Sequence, residues 1–183
     1  MLLTILQKLA DTEWSVALHE SLWVWPLLES THVLTLTLFA GTAMLFDLRL
    51  TGRALSSMPA SAVMARLLPW TRAGFALMVT TGLLLFYATP VRNYQNIFFR
   101  TKMLLMLVAG LNVWLFHNGI YRRVHEWGDA ATPPRGARLA GYASLVLWAG
   151  VIISGRLVAY NWFDCDIQPQ PAFVNWAAGC VVP

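Results

Sequence analysis

The sequence predicts an all-α fold: an integral membrane, antiparallel four-helix bundle, preceded by an interfacial helix and followed by an extracytoplasmic tail. Three observations predict it. Four apolar stretches run from about Pro26 to Phe46, Leu67 to Ala88, Met103 to Ile120 and Leu139 to Tyr160, each close to the ~20 residues that a hydrocarbon core ~30 Å thick demands of a helix. The 183 residues are 57% hydrophobic and only 12% charged, with a mean hydropathy of +0.55, so no second, soluble domain is expected beside the bundle. The arginines alternate along the chain: Arg49, Arg53 and Arg66 follow the first stretch, and Arg122, Arg123, Arg135 and Arg138 follow the third. By the positive-inside rule those two connections face the cytoplasm, and both termini are periplasmic in a bacterial inner membrane.

The elements follow in order. Residues 1–21 read as one interfacial amphipathic helix, with Leu2, Leu3, Ile5, Leu6, Leu9 and Ala10 on a broad apolar face. Gln7, Lys8, Asp11 and Glu13 interrupt that stretch and no basic segment opens it, which argues against a cleavable signal peptide. Trp14, Trp23 and Trp25 suit the aromatic belt at the outer boundary. Pro26 fits the first turn of the first span, where its missing N–H costs no bond. Residues 22–161 form the bundle, and short connections make successive spans antiparallel. Close approach is expected at small residues: Ala140 and Ser144, Gly150 and Ser154, and Gly155 and Ala159 in the last span, with Gly41, Gly74, Gly82 and Gly110 in the others.

Residues 162–183 form the periplasmic tail, which holds both cysteines, Cys165 and Cys180. In that compartment they are expected to pair. A closed loop of this size adds about 3 kcal/mol in the chain-entropy model and would hold Pro169, Pro171, Phe173 and Trp176 in a compact lid. Two separate thiols, or two metal ligands, are the competing readings. The net charge of +4 raises nucleic acid as a partner, but arginines facing anionic lipid account for it, and nucleic acid is set aside. The lipid bilayer is the expected partner.

Chemistry is sought among polar residues at membrane depth, where a charge costs at least ~2.5 kcal/mol. They fall into two layers. Glu29, His32, Tyr87, Lys102, Arg156 and Tyr160 lie towards the outer side, and Asp47, Arg72, Asn112, His117 and Asn118 towards the cytoplasmic side. Asp47 and Arg72 read as a structural ion pair at one depth. His32 and His117 are the only histidines inside spans, and imidazoles on facing helices are how b-type cytochromes hold iron. One haem gripped by both is not expected. At ~1.5 Å per residue His32 lies about 9 Å below Pro26 and His117 about 22 Å below Lys102, which separates them by about a third of a bilayer.

The outer layer is therefore the candidate haem b pocket. His32 is the metal ligand, Lys102 and Arg156 answer the propionates, and Met106 and His117, on the helix face of Lys102, are further cofactor-binding candidates, with Met106, Lys102 or an open position at the sixth site. The plain alternative is that each histidine hydrogen-bonds a carbonyl or a polar neighbour, and that Glu29 neutralises Arg156 or Lys102. His125 and Glu126 are expected to face solvent.

The run from His32 to Gly41, continuing to Asp47 and Arg49, then Thr81-Gly82 in span two, Phe99 to Lys102 at the head of span three and His117 near its end, resembles a bacterial four-helix inner-membrane family of unknown function. More distantly it is similar to membrane-type protoporphyrinogen oxidases and copper-resistance D-type membrane proteins. The resemblance to the oxidases implies haem b on His32, with Arg49 and Lys102 as the arginine and lysine on which those enzymes depend. Two functions of different classes follow. One is a haem-b membrane redox subunit working between the quinone pool and a periplasmic redox protein. The other is a cofactor-free anchor or assembly subunit of a larger membrane complex.

Overall fold

The computed structural model describes every residue except 131, 161, 164, 166 and 181–183, so part of the expected tail, 162–183, lies outside the described residues. The chain is an all-α membrane helical bundle. Nine α-helices are present among the described residues: α1 (Leu2–Ala10), α2 (Glu13–Glu20), α3 (Val24–Leu50), α4 (Ala60–Ala88), α5 (Pro90–Tyr94), α6 (Ile97–Asn118), α7 (Val124–Trp127), α8 (Arg135–Val158) and α9 (Ala172–Ala178). Helices α3, α4, α6 and α8 are long and apolar enough to cross a membrane. The 27 residues of α3 extend about 40 Å, more than the hydrocarbon thickness, and α4 begins two turns earlier than its apolar stretch does. Apolar side chains such as Leu34, Leu83, Leu107, Trp114 and Val146 are exposed on these helices, as expected of surfaces whose solvent is lipid.

The chain divides into two compact units, each containing a segment of every long helix. The first comprises residues 1–33, 79–104 and 151–183, and the second residues 34–78 and 105–150. The outer polar layer read from the sequence falls wholly in the first unit and the inner layer wholly in the second.

In the first unit the N-terminal segment is two helices rather than the single expected one. Thr12, with extended backbone, separates them and bonds its hydroxyl to Leu9 O at 2.8 Å and to the Tyr87 hydroxyl at 2.7 Å. Buried Ser15 donates to Tyr87 O at 2.9 Å, so α1 and α2 are tied to the end of α4. Tyr87 thereby serves the fold. Helix α5 starts on Pro90, whose fixed φ suits a first turn. Asn96, fully buried, caps α6 by accepting from the N–H groups of Phe98 and Phe99 at 2.9 and 3.1 Å.

Cys165 and Cys180 are joined in a disulfide. The tail folds differently from the expected lid: Val174 and Ala178 are the buried face of α9, whereas Phe173 and Trp176 are 67% and 78% exposed. Arg100 fastens α9 by donating from Nη1 to Ala177 O at 2.7 Å and from Nε to Tyr94 O at 2.8 Å.

The second unit has an apolar core of Phe46, Leu50, Val63, Phe116 and Ala137, and Phe39 meets the Trp148 ring edge-on at 4.8 Å. Helices α3 and α4 touch at Gly74, where a Cβ would stand 2.9 Å from Phe39 N, and the Thr71 hydroxyl donates to that of Thr42 at 2.8 Å. Helix α8 approaches α3 at Gly141, where a Cβ would lie 3.0 Å from Asp47 O. The expected notches at Gly41 and Gly110 are absent: nothing lies within 4 Å of a Cβ there.

Candidate functional site

In the first unit, α3 carries His32 towards α4. Nδ1 of the half-buried imidazole is 2.9 Å from the hydroxyl of buried Thr81. The next residue is Gly82, and a Cβ placed there would stand 3.2 Å from His32 Cε1. A hydroxyl on one ring nitrogen and a missing side chain beside the ring set the orientation of the imidazole. This is the arrangement by which an outer partner aims the other nitrogen of a metal-ligating histidine.

Lys102, half-buried on α6, lies along α8 at Gly155, with Nζ 3.7 Å from where a Cβ would be. The lysine stem therefore packs against α8 at ordinary van der Waals distance. Arg156, the adjacent residue, is exposed and rests its guanidinium 5.2 Å from the Tyr160 ring centroid. Glu29 is exposed as well, so it forms no buried pair with Lys102 or Arg156.

Met106 and His117 belong to the second unit. His117 bonds through Nδ1 to Val113 O at 3.0 Å, one turn back on its own helix, and its ring lies tilted against Tyr121 at 5.2 Å between centroids. That is the plain carbonyl-bonded histidine weighed from the sequence. Met106 is half-buried. His125 and Glu126 are exposed, 3.9 Å apart. Among the described residues, no three His, Cys, Asp or Glu side chains are grouped to hold a metal ion; haem iron needs only axial ligands from the protein.

The expected pairing of Asp47 with Arg72 is corrected. Asp47 is buried and bonds Ser144, with Oδ2 lacking a hydrogen-bond partner, whereas Arg72 is exposed. A shared depth is not a shared contact: the buried carboxyl turns to Ser144 on α8 instead.

Arg49 has a role the residues alone did not suggest. It is 0% exposed. Nε donates to Met58 O at 2.7 Å, and Nη2 donates to Gly128 O at 3.1 Å and Ala130 O at 3.0 Å. One guanidinium thus gathers the α3–α4 and α7–α8 connections, using the planar fork that a lysine lacks. The signal was weak in the sequence, because backbone carbonyls are the acceptors and every residue has one. Thr81 and Ser144 were likewise unremarked as partners of His32 and Asp47.

No curated protein and no solved structure is significantly similar to the chain. Residues 25–161 match the model of a family described as a family of unknown function, DUF6644. That stretch spans all four long helices and contains His32, Thr81, Lys102 and the Arg49 clamp, and the chain belongs to this family.

Proposed function

We propose that the chain is a haem-b-binding membrane redox subunit that moves electrons between the quinone pool and an extracytoplasmic partner, with His32 as the iron ligand. The observation that carries this reading is the Thr81–His32–Gly82 arrangement. The hydroxyl bonded to Nδ1 directs Nε2 to be the coordinating nitrogen, and glycine keeps side-chain bulk away from the ring edge. Lys102 and Arg156 provide positive charge for propionates from the same unit. Bound haem b would supply one-electron iron chemistry. The chain's own residues hold and aim the imidazole and surround it with apolar helices. The distant similarity to membrane-type protoporphyrinogen oxidases supports the same ligand, and neither Met106 nor His117 is assigned to it.

The membrane is the bacterial inner membrane, with both termini periplasmic. The Cys165–Cys180 disulfide supports an oxidising compartment for the tail, and the arginine-rich connections support the cytoplasm for the other side. A periplasmic redox protein, or a larger membrane complex, is the partner this placement suits.

The second reading, a cofactor-free anchor, is favoured by one observation: buried Arg49 acts on backbone carbonyls alone. Absorbance separates the two. Protein purified from membranes with ample haem supply is expected to show a Soret band that His32→Ala abolishes, Thr81→Val weakens and His117→Ala leaves largely intact. Colourless wild-type protein, or full haem retained by His32→Ala, replaces the haem reading with the anchor.

A further inference from the structure

The second unit holds a basic cluster with no role in the haem reading. Arg53, in the turn after α3, donates from Nε to the Tyr142 hydroxyl at 3.2 Å and holds its guanidinium 5.5 Å from the ring centroid. Arg138, one turn earlier on α8, lies beside the same phenol. Arg135 lines a hollow of about 230 Å³ with Arg138, Leu139 and Tyr142. Among the described residues no carboxylate pairs with any of the three arginines. Two guanidinium groups beside one neutral hydroxyl, with Arg135 lining the same hollow, repel one another unless an anion joins them. The cluster also sits at the first turn of a 24-residue helix, whose unbonded N–H groups favour negative charge.

One wall of the hollow also serves a second recess. Leu139 is shared with an apolar groove of about 330 Å³ between α6 and α8, whose lining includes Asn112, Phe116, Gly136, Ala140 and Ala143. Both helices are candidate spans, so the groove opens towards acyl chains. Its one polar wall residue is already engaged, since Asn112 Nδ2 donates to Ala140 O at 3.1 Å.

From this juxtaposition we propose that α6 and α8 form a specific site for an anionic phospholipid. Arg53, Arg135, Arg138 and the Tyr142 hydroxyl take the phosphodiester head group, and one acyl chain lies in the groove. Basic pockets between spans recognise lipid head groups by this chemistry. A free phosphate would use the arginines and leave the groove unexplained, and a soluble acidic protein would not reach it. The site is independent of His32 and of any haem.

Native mass spectrometry of the full chain in mild detergent tests this, with phosphatidylglycerol and phosphatidylethanolamine of identical acyl chains offered at equal concentration. The wild type is expected to retain one phosphatidylglycerol with a preference of at least about fivefold, given the attraction of each arginine for an anionic head group. Arg53→Gln/Arg138→Gln should bring the two lipids to parity, and Ala143→Trp, which fills the groove while sparing the arginines, should lose the adduct. Millimolar inorganic phosphate should not displace it. Thermal stability of the wild type should also rise more with phosphatidylglycerol than with phosphatidylethanolamine, a measurement that needs no variant. Equal adducts on the wild type, a preference that survives the double substitution, or displacement by free phosphate would each overturn the lipid site.

Discussion

Arginine is the residue type that organises this molecule, and in two places it does so through backbone carbonyls. Arg49 takes three, from Met58, Gly128 and Ala130, and Arg100 takes two, from Tyr94 and Ala177. Hydrogen bonds to a charged donor contribute about 1.5–3 kcal/mol each, and a buried carbonyl left without a donor costs about 1–3 kcal/mol. Arg49→Lys is therefore expected to destabilise the protein by about 3 kcal/mol or more, because one ammonium cannot span acceptors on two connections. Thermal unfolding in detergent micelles would measure it, and a lysine variant as stable as wild type would contradict the clamp. The polar residues were legible as residues, but not their partners. The sequence offers His32 as a ligand or as a hydrogen-bonded core histidine, and its bond to Thr81 is compatible with both. Depth alone pairs Asp47 with Arg72, and depth says nothing about which way a side chain leaves its helix.

At the scale of elements, four spans were visible because twenty apolar residues in succession have few other uses. Their lengths were less so: α4 continues upstream through Arg66 to Ala60, since a helix need not stop where hydrocarbon does. Helix contacts were only half legible. Gly74 faces a neighbouring backbone and Gly41 faces open space, yet both are glycines in apolar surroundings. A helix apolar on every side gives no sign of which face turns inward. A paired substitution exploits this difference. Gly74→Ala must move α3 from α4 and should cost about 1–3 kcal/mol, whereas Gly41→Ala should be neutral or slightly stabilising, as alanine is the better helix former by up to about 1 kcal/mol. Equal effects in a denaturation assay would show that the α3–α4 contact at Phe39 is not as described.

For the whole molecule, the decisive measurement is orientation. Reporter fusions after Ser57 and Thr132 are expected to read cytoplasm, and fusions after Asn93 or at the C-terminus to read periplasm, because the basic connections resist translocation. The inverted pattern would put the disulfide-bonded tail in a reducing compartment and would remove the argument for a periplasmic redox partner. The two polar layers are legible from the alternating direction of the spans and the place of each residue along them, and the same residues fall into the two compact units.

The Arg49 clamp also has a bearing on how the chain is made. Two of its three acceptors, Gly128 O and Ala130 O, lie 79 and 81 residues downstream, which at ordinary rates of synthesis is a delay of roughly 4 to 16 s. Throughout that interval α3 and α4 can be in the bilayer while their guanidinium holds only Met58 O. The first two spans are thus an unfinished article whose last fastening is delivered by the second half. A ribosome that stalls before Gly128 leaves a charge at the membrane boundary that the cell's proteases have every opportunity to recognise.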